Sequence, residues 1–472
     1  MKKQNKNFLY NIVYQLLTFV IPLILTPYIS RTLGVDNIGV YSYSYSLVYY
    51  FILFTMLGIN NYGSREIAKC KNREEQSKTF RSIHGLQLSC GIIAAVGYSI
   101  LLLAYNYDHR LILILDSIFL LSAALDINWF YFGIEKFKLT TTRNLIIKLS
   151  SVGLIFLFVK APEDLWKYTV ILAGSTLLSQ IYMWLFIRKE VDRVKISRQD
   201  ILKHLRPCLV FFIPVISYSI YRVMDKTMIG AISAESELGN YENAEKIINI
   251  PISLVTALGT VMLPHMSKKN KDEIRESIQE TFKLSAFFTI PSAVALAIIA
   301  QDFSKVFFGA GFDKAGVIIQ ILVCTIIFSS IANVIRTNYL IPLKKDKIYV
   351  VSTIIGACLN LALNAIFIPM LGAYGACIGT IIAEFTLMFY QAVKTRHEIK
   401  YMRILSIYAK YFLSAGVMAL VMIAVSMLHI DPFFRLALQL CGGAGIYCLL
   451  NIDYILHDFL GRKPKSIATG RR

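Results

Sequence analysis

Arg222, Asp225 and Lys226 lie within five residues of one another, inside an otherwise apolar run from about 208 to 230. Spacings of three and four put all three on one helical face. A charge in the middle of an apolar span costs about 2.5–3.5 kcal/mol on insertion scales, so each needs a reason. Two readings stand. In one, Arg222 and Asp225 pair to tie helices together while Lys226 reaches outward along its aliphatic stem. In the other, two cations against one anion leave a positive charge over. A cavity carrying that surplus attracts an anion, and phosphate is the usual one. Arg31 sits at the outer end of the first apolar run and Lys148 about a turn inside the fifth, with Arg336 near the inner end of the tenth. Each is an interfacial cation, or for Arg31 a wall of the same cavity. Asp126 and Glu384 lie deeper. They are candidate proton carriers, or acids held by a helix-to-helix hydrogen bond. Tyr41, Tyr45 and Tyr49 recur every four residues; Tyr41 fits an interfacial belt, whereas Tyr49 is deep enough to stack on a sugar ring.

Catalytic and metal chemistry find no support in the sequence. It has no Gly-rich phosphate loop, no His-Glu-x-x-His and no nucleophile elbow. Seven of the eight cysteines lie in or at the ends of apolar spans and none forms a Cys-x-x-Cys pair, so they read as small packing residues. No catalytic residue, metal ligand or cofactor is expected. With no ATP site, energy must come from an ion gradient, the membrane potential or the substrate's own gradient.

The elements that position these residues are membrane helices. Of 472 residues, 56% are hydrophobic and only 17% charged. Apolar spans fall at about 8–30, 38–61, 82–105, 111–133, 144–160, 166–187, 208–230, 243–265, 283–301, 316–338, 349–369, 374–393, 405–428 and 433–455. Each is about long enough to cross a hydrocarbon core roughly 30 Å thick. The fold class is therefore an all-α polytopic membrane protein with about fourteen crossings. Lysine and arginine crowd every second gap: 63–82, 188–207, then Lys268, Lys269, Lys271 and Arg275, then Lys344, Lys345 and Lys347, then the tail from Arg462. The alternate gap 230–243 carries Glu235, Glu237 and Glu242 and no cation. This placement explains the net charge of +19 as a topology signal rather than a nucleic-acid footprint. It puts both termini in the cytoplasm. The first span follows Lys2, Lys3 and Lys6 but is too long for a signal-peptide core and lacks a cleavage site, so it reads as an uncleaved helix.

The hydrophilic gap 188–207 divides the chain. The expected organisation is a six-helix lobe over 1–190, a cytoplasmic linker over 191–207, a second six-helix lobe over 208–400, and two extra helices with a basic tail over 401–472. The lobes repeat weakly. Pro22, the run Arg31–Gly34 and Gly39-Val-Tyr41 match Pro214, Asp225–Gly230 and Gly239-Asn-Tyr241; Leu57-Gly58 matches Leu258-Gly259, and Thr79-Phe80 matches Thr281-Phe282. With six crossings each, the halves are parallel repeats about an axis along the membrane normal.

The run Arg31-Thr-Leu-Gly-Val-Asp-Asn-Ile-Gly-Val-Tyr41, followed by Asp225–Gly230 and Gly239-Asn-Tyr-Glu-Asn-Ala-Glu-Lys246, resembles the Wzx-type polysaccharide repeat-unit flippases. Asn338-Tyr-Leu-Ile-Pro342, Asn360-Leu-Ala-Leu-Asn364 and Gly372-Ala-Tyr-Gly-Ala376 are similar to the same family. It belongs to the multidrug/oligosaccharidyl-lipid/polysaccharide exporter superfamily, and the resemblance covers essentially the whole chain. It implies two six-helix lobes in a V-shaped, MATE-like arrangement plus two C-terminal helices. It also implies alternating access, with undecaprenyl-pyrophosphate-linked oligosaccharide turned from the inner to the outer leaflet of the bacterial plasma membrane for capsule, exopolysaccharide or O-antigen. Cationic cavity residues bind cargo in that family. The role carries to Arg31 and Arg222, with Lys226 and Lys148 as further candidates and Asp225, Asp126 and Glu384 as coupling or charge partners. Expected partners are the lipid-linked oligosaccharide, membrane lipids, and a polymerase and glycosyltransferases of the same pathway; nucleic acid is not one. The alternatives on the same fold are a peptidoglycan-precursor flippase and an ion-coupled multidrug exporter. A membrane polymerase or glycosyltransferase is disfavoured by the short outer gaps.

Overall fold

The structure is a computed structural model. It describes the backbone over residues 2–266 and 271–459, and side chains over 21–456 apart from 214, 217, 218, 220, 221, 258 and 260–272. Lys268, Lys269 and the tail cations from Arg462 onward lie outside the described residues.

Among the described residues every regular element is a helix. α1 (Lys2–Met56) is continuous except at Gly34, whose φ of 79° and ψ of 171° break it into 2–33 and 35–56. Such angles are open to glycine and strained for residues with a Cβ. There follow α2 (Ile59–Lys69), α3 (Arg73–Ala104), α4 (Arg110–Ala124), the short α5 (Asn128–Gly133), α6 (Phe137–Phe158), α7 (Leu165–Ile187), the short α8 (Arg198–Leu202) and α9 (Leu205–Ile232). The chain continues through α10 (Glu235–Met266), α11 (Lys271–Phe308), α12 (Asp313–Ile335), α13 (Asp346–Leu371), α14 (Ala373–Thr395), α15 (Tyr401–Ser426) and α16 (Pro432–Leu450). Among the described residues, eleven segments are long and apolar enough to cross a membrane. Adding the part of α1 before Gly34 and the charged helices α9 and α10 makes fourteen, the number counted from the sequence. The chain is a multi-pass membrane protein.

Two helices begin earlier than hydropathy places them. α3 starts at Arg73, with Asn72 Oδ1 accepting the Glu75 N–H at 2.9 Å and Glu74 and Glu75 in the first turn. That is an N-terminus built for the helix dipole. α10 starts at Glu235 with Glu237 beside it, so much of the apparent loop 230–243 is helix. Acidic residues hide a helix start from a hydropathy window while favouring it electrostatically.

By contacts the chain forms two compact units. The first holds Met1–Asn243, Phe308–Phe312 and Thr353–Gly379; the second holds Ala244–Phe307, Asp313–Ser352 and Thr380–Arg472. The core of the first unit includes the aromatic run Trp129-Phe130-Tyr131, packed with Phe80, Ile83 and Cys208. Between α4 and α5 the backbone leaves helical form at Leu125–Ile127. The buried Gln87 amide repairs the break, donating to the carbonyls of Ala123 and Asp126 at 2.8 Å each and accepting from Trp129 Nε1 at 3.1 Å. Irregular backbone at membrane depth survives only where protein re-satisfies it. The core of the second unit gathers Phe282, Tyr339, Tyr408, Tyr411 and Tyr447, and Tyr447 Oη donates to the Phe287 carbonyl at 3.0 Å.

His204, between α8 and α9, ties the basic segment to this first unit. Its Nδ1 lies 2.7 Å from Tyr62 Oη on α2 and its Nε2 2.9 Å from Ser82 Oγ on α3. Burial, with the Lys203 charge adding to it, pulls its pKa down to about 4. The folded state therefore holds imidazole neutral while the unfolded chain protonates near pH 6.5. Stability is full above that value and is lost as pH falls toward 4. Acidifying purified protein from about pH 7 to pH 5 should cost roughly 1–2 kcal/mol. A His204→Gln variant should flatten that dependence; an identical acid slope in the variant would place its origin elsewhere.

Candidate functional site

A buried polar network of the first unit is built on α9, α10, α13 and the 41–50 stretch of α1. Asp225 is 5% exposed. Its Oδ2 accepts from Tyr241 Oη on α10 at 2.8 Å, and its Oδ1 from Asn364 Nδ2 on α13 at 2.5 Å. Asn360 Oδ1 accepts from the same Asn364 amide at 3.2 Å. At the next residue of α9, Lys226 Nζ stands 2.6 Å from Glu242 Oε2, and Ser42 Oγ donates to that carboxylate at 2.9 Å. Thr227 continues the seam, with its hydroxyl 3.0 Å from Ser46 Oγ and 3.1 Å from Tyr50 Oη. Arg222 is half-buried on the same helix.

This arrangement changes the charge count. Within α9 alone, two cations face one anion. Glu242 adds a second anion, placed there because α10 begins eight residues earlier than its hydropathy implies. In this state Lys226 pairs with Glu242, and the formal charges of Arg222, Asp225, Lys226 and Glu242 cancel. A balanced pair that can exchange its partner for an incoming anion is chemically different from a standing surplus. The first can take up another anion only when Glu242 gives way.

The other expected residues have the following surroundings. Lys148 on α6 borders a pocket of about 340 Å³ with Tyr41, Tyr45, Asn144, Ser175 and Thr176. Tyr49 is half-buried, with its ring tilted against Tyr45 at 6.0 Å between centroids and its hydroxyl 3.5 Å from Ser219 Oγ. Tyr41, Tyr45 and Tyr49 thus form a ladder running from the Lys148 pocket along α1. Arg31 lies one turn before the Gly34 break and is exposed. Asp126 stands at the break between α4 and α5, where its carboxylate accepts the Asn128 N–H at 2.8 Å. Glu384 belongs to the second unit, on α14, and is half-buried.

Sequence reasoning missed two buried charges of the first unit. Asp116 on α4 is fully buried, with Ser44 Oγ donating to Oδ2 at 2.5 Å. It sits six residues into an apolar run, the criterion that singled out Asp126. Arg143 on α6 is 4% exposed and donates to Asn128 Oδ1 at 2.8 Å and to the Ser179 carbonyl at 3.2 Å. Its position at a span boundary gave it the look of an ordinary interfacial cation.

Gly39 and Gly239, matched in sequence, sit at equivalent close approaches. A Cβ added to Gly39 would fall 2.0 Å from the Glu235 carbonyl oxygen, and one added to Gly239 would fall 2.0 Å from the Val35 carbonyl oxygen. Residues 39 and 239, and 35 and 235, are each 200 apart. The contact is reciprocal, as two-fold related surfaces make it. Close by, Ala373 N–H donates to Glu237 Oε2 at 3.2 Å, and His109 Nε2 lies 3.2 Å from Glu235 Oε1. The acidic start of α10 is thereby held to the start of α14 and to the α3–α4 loop.

Comparison with known proteins agrees with this architecture. The chain is 23% identical over 381 residues to a "Putative O-antigen transporter" of Shigella dysenteriae, covering 80% of this chain and 96% of that one. It is 24% identical over 337 residues to a protein of the same description from Escherichia coli K12, covering 70% and 81%. Its fold matches a solved structure described as lipid II flippase MurJ in an inward closed conformation, with a TM-score of 0.79 at 17% identity over 96% of this chain and all of that one. A sequence profile described as "Polysaccharide biosynthesis protein" matches residues 5–270, more than half of the chain. With a many-helix membrane fold and that profile over more than half of its length, the protein belongs to the polysaccharide biosynthesis protein family.

Proposed function

We propose that this protein turns a lipid-linked oligosaccharide from the inner to the outer leaflet of the bacterial plasma membrane, as a repeat-unit flippase for O-antigen, capsule or exopolysaccharide. The observation that carries the reading is the likeness, over 80% and 70% of this chain, to two proteins described as putative O-antigen transporters. The likeness to MurJ, at 17% identity, speaks to the fold. The physics is consistent. A sugar and pyrophosphate headgroup cannot enter hydrocarbon unaided, because each desolvated polar group costs several kcal/mol. A helix bundle that holds charged and hydroxyl side chains at depth replaces the lost hydration while the polyprenyl tail stays in lipid.

In this reading Arg222 and Arg31 bind the phosphates, since guanidinium groups match phosphate oxygens two at a time. Lys226 is released from Glu242 as the anion arrives. Lys148 and the Tyr41–Tyr45–Tyr49 ladder face the sugars. Asp126 and Glu384 are the coupling candidates assigned from sequence, with alternating access as the transport cycle. Both termini lie in the cytoplasm beside the basic loops, and pathway glycosyltransferases and the polymerase act before and after the protein.

Arg222→Ala should lower the rate of lipid-linked oligosaccharide translocation in sealed vesicles by at least about tenfold, the loss of roughly one charge-assisted contact. Membrane insertion should stay normal, and Arg222→Lys should recover part of the rate. Wild-type translocation by Arg222→Ala would remove the anion-binding role.

A further inference from the structure

The second unit carries a basic pocket and an apolar groove that share a wall. The pocket, of about 820 Å³, lies where the start of α11 meets the turn from α14 into α15. Arg275, Arg396, Lys400 and Arg403 border it with His397, against the carboxylates of Glu276 and Glu398. Glu398 is already engaged by Lys345 and by Tyr339 Oη. His397 Nε2 accepts from Arg396 Nε at 3.0 Å, which orients that guanidinium. The pocket is therefore positive after its internal pairs are counted.

The groove, of about 720 Å³, runs along α15 between α11, α12 and α14, past Ala293, Phe328, Met388, Leu405 and Phe412. Its lining is almost wholly apolar, with Met402 80%, Leu405 63% and Phe412 45% exposed. Tyr401 and Met402 belong to both cavities. A cationic bowl opening directly onto a hydrocarbon-lined trough is complementary to one kind of molecule: an amphiphile with an anionic head and a long apolar chain.

We propose that this composite site binds one anionic bilayer phospholipid, its phosphate headgroup in the basic pocket and an acyl chain along α15. Basic side chains at the end of a membrane helix each contribute about 1 kcal/mol of attraction to anionic lipid. The groove supplies what a plain surface cluster lacks, namely apolar contact that selects a lipid over a free phosphate ion. An exposed trough facing hydrocarbon is reached laterally by bilayer lipid. The site is independent of the cargo reading, since it uses none of the residues assigned to cargo.

The test uses the full chain in nanodiscs of phosphatidylcholine with or without phosphatidylglycerol, counting lipids retained on gentle extraction by native mass spectrometry. Wild type should retain one phosphatidylglycerol with a preference over phosphatidylcholine of about tenfold or more, given several basic contacts. Arg396→Gln/Lys400→Gln/Arg403→Gln should lose that preference, while the charge-conserving Arg396→Lys/Arg403→Lys should keep it. Leu405→Trp, which fills the groove and leaves the charges intact, should also lose it. Equal retention of both lipids by wild type, or an undiminished preference in either the triple variant or Leu405→Trp, overturns the proposal.

Discussion

Gly39→Ala and Gly239→Ala should each lower translocation by about tenfold or more, although alanine is the better helix former. The reason is the close crossing of α1 and α10. Each added methyl would lie 2.0 Å from a backbone carbonyl oxygen of the other helix. Backbone atoms cannot swing aside as a side-chain tip can, so the helices must separate. Overpacking of this kind costs about 1–3 kcal/mol, enough to shift a conformational equilibrium by one or two decades. Separation would also strain the bonds from Glu237 to Ala373 and from Glu235 to His109. The expected consequence is a crossing that no longer closes. A cysteine at position 35 in the Gly239→Ala background should become reactive to a water-soluble maleimide while the protein remains folded and inserted. Unchanged reactivity together with unchanged transport would show that the crossing tolerates a methyl group and has no part in the cycle.

The second large effect concerns Lys226 and Glu242. Glu242→Ala leaves an ammonium group, with only about a fifth of its side chain exposed, without the carboxylate 2.6 Å away. Removing one partner of a buried pair costs about 3–5 kcal/mol, and partial exposure lowers that here to about 2 kcal/mol. Replacing both partners with methionine removes the ammonium group along with the carboxylate. Such apolar exchanges are often neutral for stability. The two consequences of the ion pair can therefore be separated. Glu242→Ala should lower thermal stability and transport together. Lys226→Met/Glu242→Met should recover stability and still transport poorly, because the ammonium group that joins Arg222 and Arg31 in receiving an incoming phosphate is gone. Full transport by the double variant would reduce the pair to a structural tie.

Much of this molecule was legible before any fold was known, because the bilayer imposes rules that single residues obey. The span count, the charged loops and the Gly39/Gly239 correspondence follow from length, hydropathy and order along the chain. α10 was harder to read. Glu235, Glu237 and Glu242 look like a loop to a hydropathy window, yet carboxylates at a helix N-terminus stabilise it. The same blind spot concealed the partner of Lys226.

The sequence by itself determined which side chains sit at membrane depth and which helical face they share, since the 3.6-residue period links neighbours along one helix. Which atoms they meet was decided by the tertiary structure alone. Asp225 finds Asn364, 139 residues away, and Glu242 finds Ser42, 200 residues away. Helical periodicity orients a charge without naming the helix packed against it. Whether Arg222 and Lys226 form a standing surplus or half of a balanced network therefore depends on packing between distant segments, and only the folded chain contains that information.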